Sequence, residues 1–223
     1  MLSELIDQYY IEHRSNKIQN RFYLSEAGKC PRQVFFSFKK CPSKETEPNF
    51  LRLFDHGDHM HQLITKTLLN IKNIKVVATE VNIPSSDLVS GRADAIVEKD
   101  NVLYVLDIKS INSKAFDYLE SAKEDNVLQV QLYLHYFGIE KGILLYVNKD
   151  NLKLKEYIID YDKKVAESLI KDFEKLRKQI DSDEMPPRIK GYPLFWQCKY
   201  CKFKSVCDID ESNWELIKEK INK

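Results

Sequence analysis

Long apolar runs, an excess of either charge, and glycine- or proline-rich stretches are all scarce in this chain, and each shortage removes a class of protein. No apolar run approaches the ~20 residues that span a bilayer. Met1-Leu2-Ser3-Glu4-Leu5-Ile6-Asp7 is acidic where a secretory leader opens basic and then apolar, so a soluble, cytoplasmic protein is expected. Six glycines and seven prolines form no low-complexity linker, and no internal repeat is visible. The net charge is only +1, so any nucleic-acid contact must come from a local basic patch. What remains is 223 residues, 43% apolar, enough for one domain or a domain with a small appendage.

The stretch from Gly91 to Lys109 carries the strongest chemical signal. Ala95-Ile96-Val97 and Val102 to Leu106 flank the polar connector Lys99-Asp100-Asn101, which predicts a β-hairpin. Asp94 enters the first strand and Asp107 leaves the second, so the register brings two carboxylates together at one sheet edge. Lys109 follows Asp107 by two and shares its face, because strand side chains alternate. Two adjacent carboxylates repel unless a cation joins them, and hard oxygen ligands suit Mg2+ or Mn2+. Such a metal activates water and neutralises charge on a phosphodiester, while Lys109 orients or deprotonates the attacking water.

Five cysteines in an intracellular protein point to thiols or metal ligands rather than disulfides. Cys198, Cys201 and Cys207 are clustered, and Cys30 or Cys41 is available as a fourth ligand that would pin the N-terminal region to the C-terminal one. Four thiolates suit either zinc or an iron-sulfur cluster.

Elsewhere the chain alternates helix and strand signals. Residues 1–40 read as helical, with Ser25 an expected N-cap, and residues 41–50 read as a loop. Arg32, beside Cys30, is a candidate phosphate contact. Gly57-x3-His61 opens a helix, the glycine allowing close backbone approach and His61 lying one turn on. Strands are expected at 74–83 and 88–98, with Glu80 a further acid near the site, and as a pair at 142–147 and 152–159 around Asn148-Lys149-Asp150-Asn151. Residues 115–137 are helical, interrupted near Glu124, and place Gln129 and Tyr133 on one face, suited to a metal-bound water and a phosphate. A second helix carries the stripe Val165, Leu169, Phe173, Leu176, Ile180 behind Asp162 as N-cap. Lys199, Tyr200, Lys202, Phe203 and Lys204 mix basic and aromatic residues, a composition that follows single-stranded DNA by charge and stacking, or else shields a metal centre.

Taken in order, Cys30, Gly57-x3-His61, Asp94, Asp107-x-Lys109, Gln129-x3-Tyr133 and Cys198-x2-Cys201-x5-Cys207 resemble the RecB-like nucleases of the PD-(D/E)XK superfamily, and within them the CRISPR-associated exonuclease family. The resemblance spans residues 25–207. It implies an α/β, restriction-endonuclease-like core with a mixed central sheet flanked by helices, at residues 51–183. A helical region at 1–50 and a cysteine region at 184–223 are then joined by a metal-cysteine cluster. It further implies Cys30, Cys198, Cys201 and Cys207 as ligands of a 4Fe-4S cluster, with Cys41 spare. His61, Asp94, Asp107 and the carbonyl of Ile108 become ligands of Mn2+ or Mg2+, with Lys109 the catalytic lysine supported by Gln129 and Tyr133. Asp107 stands where the family more commonly has glutamate, a change of reach. The implied activity is exonucleolytic cleavage of single-stranded DNA, 5′ to 3′, in prespacer processing beside the CRISPR integrase. A viral or repair nuclease of the same family, or an inactive DNA-binding scaffold holding zinc, are the other readings.

Overall fold

A five-stranded mixed sheet carries the middle of the chain in the computed structural model, which describes residues 1–14, 18–209 and 214. Its strands are β1 (Lys75–Asn82), β2 (Arg92–Lys99), β3 (Val102–Ile111), β4 (Lys141–Asn148) and β5 (Leu154–Asp160), side by side in chain order. The helices are α1 (Leu2–Glu12), α2 (Pro31–Phe38), α3 (Pro48–Leu68), α4 (Ser113–Asp117), α5 (Glu124–Phe137), α6 (Lys163–Asp181), α7 (Trp196–Lys199) and α8 (Lys204–Cys207).

Neighbouring strands are antiparallel except β3 and β4, which run parallel and so require a crossover. α4 and α5 supply it. The hairpin β2–β3 forms as its sequence predicts, with Ala95 opposite Leu106 and Lys99 opposite Val102. Asp100 and Asn101 turn it, both at positive φ (54° and 63°), a conformation their short polar side chains tolerate. Ala95, Val97, Leu106, Ile108 and Val147 form a buried cluster on one sheet face, against which Met60, Ile64 and Leu68 of α3 pack. By alternation, Asp94, Asp107 and Lys109 belong to the other face, where α5 lies. Gly142 lets α5 come close: a Cβ there would stand 2.5 Å from Cγ1 of Val130.

The chain divides into two compact units. One comprises residues 23–28 and 52–171 and contains the sheet. The other gathers residues 1–22, 29–51 and 172–223, so the N- and C-terminal segments assemble together. Its core is aromatic. Phe22 stacks on Phe173 at 4.9 Å and lies 4.8 Å from Phe38, with the Arg177 guanidinium over both Phe22 and Phe38. Phe36 meets Phe203 and Trp214.

Several local expectations are corrected. Residues 1–40 are two helices separated by extended and 3-10 segments, and Ser25 lies within the 3-10 turn Leu24–Glu26. The cap of α2 is Cys30, because Pro31 fixes the first helical φ and needs no donor. The loop ends at Glu47, since Pro48 opens α3 in the same way. The break in the 115–137 helix falls at 118–123, and Glu124 and Asp125 instead form the acidic first turn of α5. Gly57 is not a close-approach glycine, as a Cβ there would meet Ser110 Oγ at an ordinary 3.6 Å. Asp162 does cap α6, accepting from the N–H groups of Lys164 and Val165. Among the described residues no helix is long and apolar enough to cross a membrane.

Candidate active site and thiol cavity

The hairpin register sets Asp94 on β2 beside Asp107 on β3, and the remaining site residues close on them from α3 and α5. Asp94 Oδ2 accepts the backbone N–H of Ile108 at 2.6 Å, fixing one carboxylate against the strand that carries the other. His61 Nδ1 reaches Asp94 Oδ1 from α3 at 3.0 Å. Lys109 Nζ lies 3.0 Å from Asp107 Oδ2 but is aligned as a donor to Oδ1, at 3.3 Å. Oδ2 is thereby left buried without a hydrogen bond.

From Lys109 a chain of hydrogen bonds runs through α5. Nζ donates to Gln129 Oε1 at 2.9 Å, Gln129 Nε2 donates to the Tyr133 hydroxyl at 3.1 Å, and that hydroxyl donates to the Arg92 carbonyl at 2.7 Å. Gln129 and Tyr133 are therefore one turn apart on the buried face of α5, and every step of the relay ends on a satisfied acceptor. Their polar atoms brace Lys109 and the start of β2, the supporting position that the family resemblance implies.

The electrostatics follow from burial and the neighbouring charges. Desolvation pushes the Asp107 carboxyl up, with Lys109 opposing and Asp94 adding to the rise. Burial works against a charged His61, but the hydrogen bond and charge of Asp94 outweigh it, so its pKa stands above the ordinary value. Burial pushes Tyr133 up as well, which keeps its hydroxyl a donor. A buried carboxylate oxygen that accepts no hydrogen bond, beside a second carboxylate and an imidazole, belongs to a donor set suited to a divalent cation. The residues fit one, although as they stand no three His, Cys, Asp or Glu side chains among the described residues are gathered closely enough to hold an ion. Asp94 and Asp107 are instead drawn to His61, Ile108 N–H and Lys109.

A groove of about 400 Å3 opens from this site, lined by His61, Gln62, Thr65, Lys66, Thr79, Glu80 and Asp94, with Leu69 at its end. Glu80 is placed on it as expected, at positive φ (51°) and paired with Arg92 at 3.0 Å. Gln62, Thr65, Lys66 and Leu69 were not anticipated, although their offsets of one, four, five and eight from His61 are the signature of a helix flank. His59 is occupied with the Asp55 carbonyl on the exposed side of α3.

In the second unit Cys30, Cys198, Cys201 and Cys207 line one cavity, together with Arg32, Arg188 and Lys204. All are free thiols. Desolvation raises the Cys198 and Cys201 thiols, and the neighbouring cysteines add to the rise, which favours the neutral thiol at both. Gln197 Oε1 accepts the Cys30 N–H at 2.9 Å and ties the two distant segments. Cys41 is buried elsewhere, its thiol pushed up to about 12 by desolvation. Two candidate DNA contacts are corrected. Arg32 is 2% exposed and donates to the Pro186 carbonyl at 2.7 Å, and Phe203 is 2% exposed against Phe36. Both belong to the core. Tyr200, Lys199, Lys202 and Lys204 remain at the surface or its edge.

Similarity to known proteins bears on the fold and the family. Residues 52–208 match the PD-(D/E)XK nuclease superfamily. The CRISPR-associated exonuclease Cas4 of Saccharolobus solfataricus is 29% identical over 216 residues, covering 93% of this chain and 98% of that protein. The crystal structure of SSO0001 is similar over 93% of this chain and 96% of its own, with a TM-score of 0.59 and 26% identity. The alkaline exonuclease LHK-Exo from Laribacter hongkongensis shares the fold at 11% identity, with a TM-score of 0.54 over 92% of this chain and 98% of its own. With its mixed sheet flanked by helices and a matching region of 157 residues that includes the whole Asp94, Asp107, Lys109 hairpin, the chain belongs to the PD-(D/E)XK nuclease superfamily and is an enzyme of that class.

Proposed function

We propose that this enzyme is a divalent-metal-dependent exonuclease that trims single-stranded DNA ends, 5′ to 3′, as a processing step in CRISPR adaptation beside the integrase. The observation that carries the chemistry is the buried Oδ2 of Asp107, which accepts no hydrogen bond and lies near Asp94 and 3.0 Å from the Lys109 ammonium. The exonuclease activity and the CRISPR setting are carried over from the relative in Saccharolobus solfataricus.

His61, Asp94, Asp107 and the Ile108 carbonyl would hold the metal, Mn2+ being a reasonable rival to Mg2+ because an imidazole is in the set. Bound there, the cation supplies Lewis-acid polarisation of the phosphate and a water of lowered pKa. The chain's own residues do the positioning. Lys109, held between Asp107 and Gln129, would offer its remaining ammonium proton and its positive charge to the attacking water and to negative charge developing on the phosphate. Gln129 orients Lys109 and is itself oriented by Tyr133. The cavity of Cys30, Cys198, Cys201 and Cys207 would seat an iron-sulfur cluster, 4Fe-4S by family resemblance, whose role is structural.

End-labelled single strands and duplexes, incubated with Mn2+ or Mg2+, test the reading. Nucleotides released progressively from the 5′ end of single strands by wild type, and not by Lys109→Met, support it. Absence of metal-dependent cleavage by the folded, cluster-loaded protein would sink it.

A further inference from the structure

We infer that Trp196 and Tyr200, with Lys190, Lys199 and Lys202, form a capture patch on which single-stranded DNA stacks. The inference rests on the proposed action on DNA and adds a binding site to it. α7 is a single turn, and its residues differ in kind. Gln197, Cys198 and Cys201 line the thiol cavity, while Trp196 at the start of the turn and Tyr200 at its C-cap do not. Trp196 is 57% exposed and Tyr200 85%, and neither is part of the cavity wall. The rings therefore do not shield the thiols. Leu194, two residues before Trp196, is 78% exposed as well.

Charge decides the occupant. Residues 186–209 hold five cations, Arg188, Lys190, Lys199, Lys202 and Lys204, against one acid, Asp208, in a chain whose total is +1. Asp208 is already held by Lys204 at 2.9 Å and by the Tyr192 hydroxyl, and Arg188 is spent on the carbonyls of Cys207 and Ile209. Among the described residues Lys190, Lys199 and Lys202 pair with no carboxylate, although the Lys202 ammonium lies 4.8 Å from the centroid of the Phe203 ring, and their charge is available to an outside anion. Exposed rings a helical turn apart, interleaved with such lysines, suit unpaired bases on a phosphate backbone, whereas the stacked bases of a duplex offer no free face. An apolar protein partner would gain nothing from the lysines.

The test is fluorescence anisotropy of labelled (dT)20 and of a 20-base-pair duplex with the full, cluster-loaded chain in EDTA, so that binding is read without cleavage. Wild type is expected to prefer the single strand. Trp196→Ala/Tyr200→Ala should weaken it about tenfold or more with an unchanged salt slope, and Trp196→Phe/Tyr200→Phe should retain most of it. Lys199→Ala/Lys202→Ala should make the slope of log K against log salt shallower by about 1.4. Equal binding by wild type and the double alanine aromatic variant, preference for the duplex, or no binding of (dT)20 would overturn the patch. Its failure is separable from that of the nuclease: binding without cleavage leaves the patch and removes the nuclease, and cleavage with unimpaired binding by the aromatic variant does the reverse.

Discussion

Gln129 is the residue on which the most local chemistry converges, because its one amide accepts from Lys109 and donates to Tyr133. Gln129→Leu keeps the volume and the helix but leaves Lys109 held by Asp107 alone. The expected result is a loss of about 10- to 100-fold in kcat with little change in KM, and a far-UV spectrum like that of wild type. Cys41 gives a second residue-scale prediction. A thiol raised to about 12 is ionised to only about one part in ten thousand at pH 8, so Cys41 should resist iodoacetamide in the native protein and react once urea unfolds it. The sign follows from burial: desolvation disfavours the thiolate, and the thiol's share of stability is lost as pH rises from the ordinary thiol range toward 12.

At this scale the sequence was most legible where local geometry decides. The Asp94, Asp107, Lys109 set follows from strand alternation and a two-residue turn, and spacing alone places Gln129 with Tyr133. What spacing does not reveal is who pairs with whom. Arg32 and Phe203 read as nucleic-acid contacts by composition, yet tertiary packing buries both. A guanidinium that satisfies a carbonyl 154 residues away leaves no local signal.

At the scale of elements, the hairpin, the strand pair β4–β5 and α6 were readable because turn residues and a 3.6-residue stripe mark them. The helix starts at Pro31, Pro48 and Glu124 were displaced from expectation because proline and first-turn acids act as openings there, not as breaks. Two glycines test how the elements are set. Gly142→Ala forces a methyl toward Val130 and should cost about 1–3 kcal/mol in urea unfolding by prising α5 from β4. Gly138 ends α5 at φ 64° with nothing within 4 Å of an added Cβ, so Gly138→Asn should be nearly neutral and Gly138→Ala should cost about 1 kcal/mol. A Gly142→Ala variant as stable as wild type would mean that the close approach of α5 is not what Gly142 provides.

At the scale of the whole molecule, the two units have different chemistry: the carboxylates, imidazole and lysine of the candidate active site in one, and all five thiols, four of them around one cavity, in the other. Metals should therefore be removable independently. Anaerobically purified protein is expected to contain iron and a broad visible band, and Cys198→Ala should lose both. Zinc without iron would replace the proposed cluster but leave the hydrolytic site untouched. Nothing in the sequence distinguished these two centres by charge, since their ionisable groups are hidden in an almost neutral total; it was the separation of Cys30 from the other thiols, and of His61 from the two aspartates, that showed long-range assembly was needed.

The most direct measurement is Mn2+-dependent release of nucleotides from 5′-labelled single-stranded DNA by wild type and Asp107→Asn, with thermal unfolding of both. Asparagine keeps the shape while removing a buried charge, so the variant should fold at least as stably as wild type. The account predicts a loss of about a hundredfold or more in cleavage from a well-folded protein. A folded Asp107→Asn variant that still cuts at the wild-type rate would contradict it, and would place the hydrolytic chemistry somewhere other than the β2–β3 hairpin.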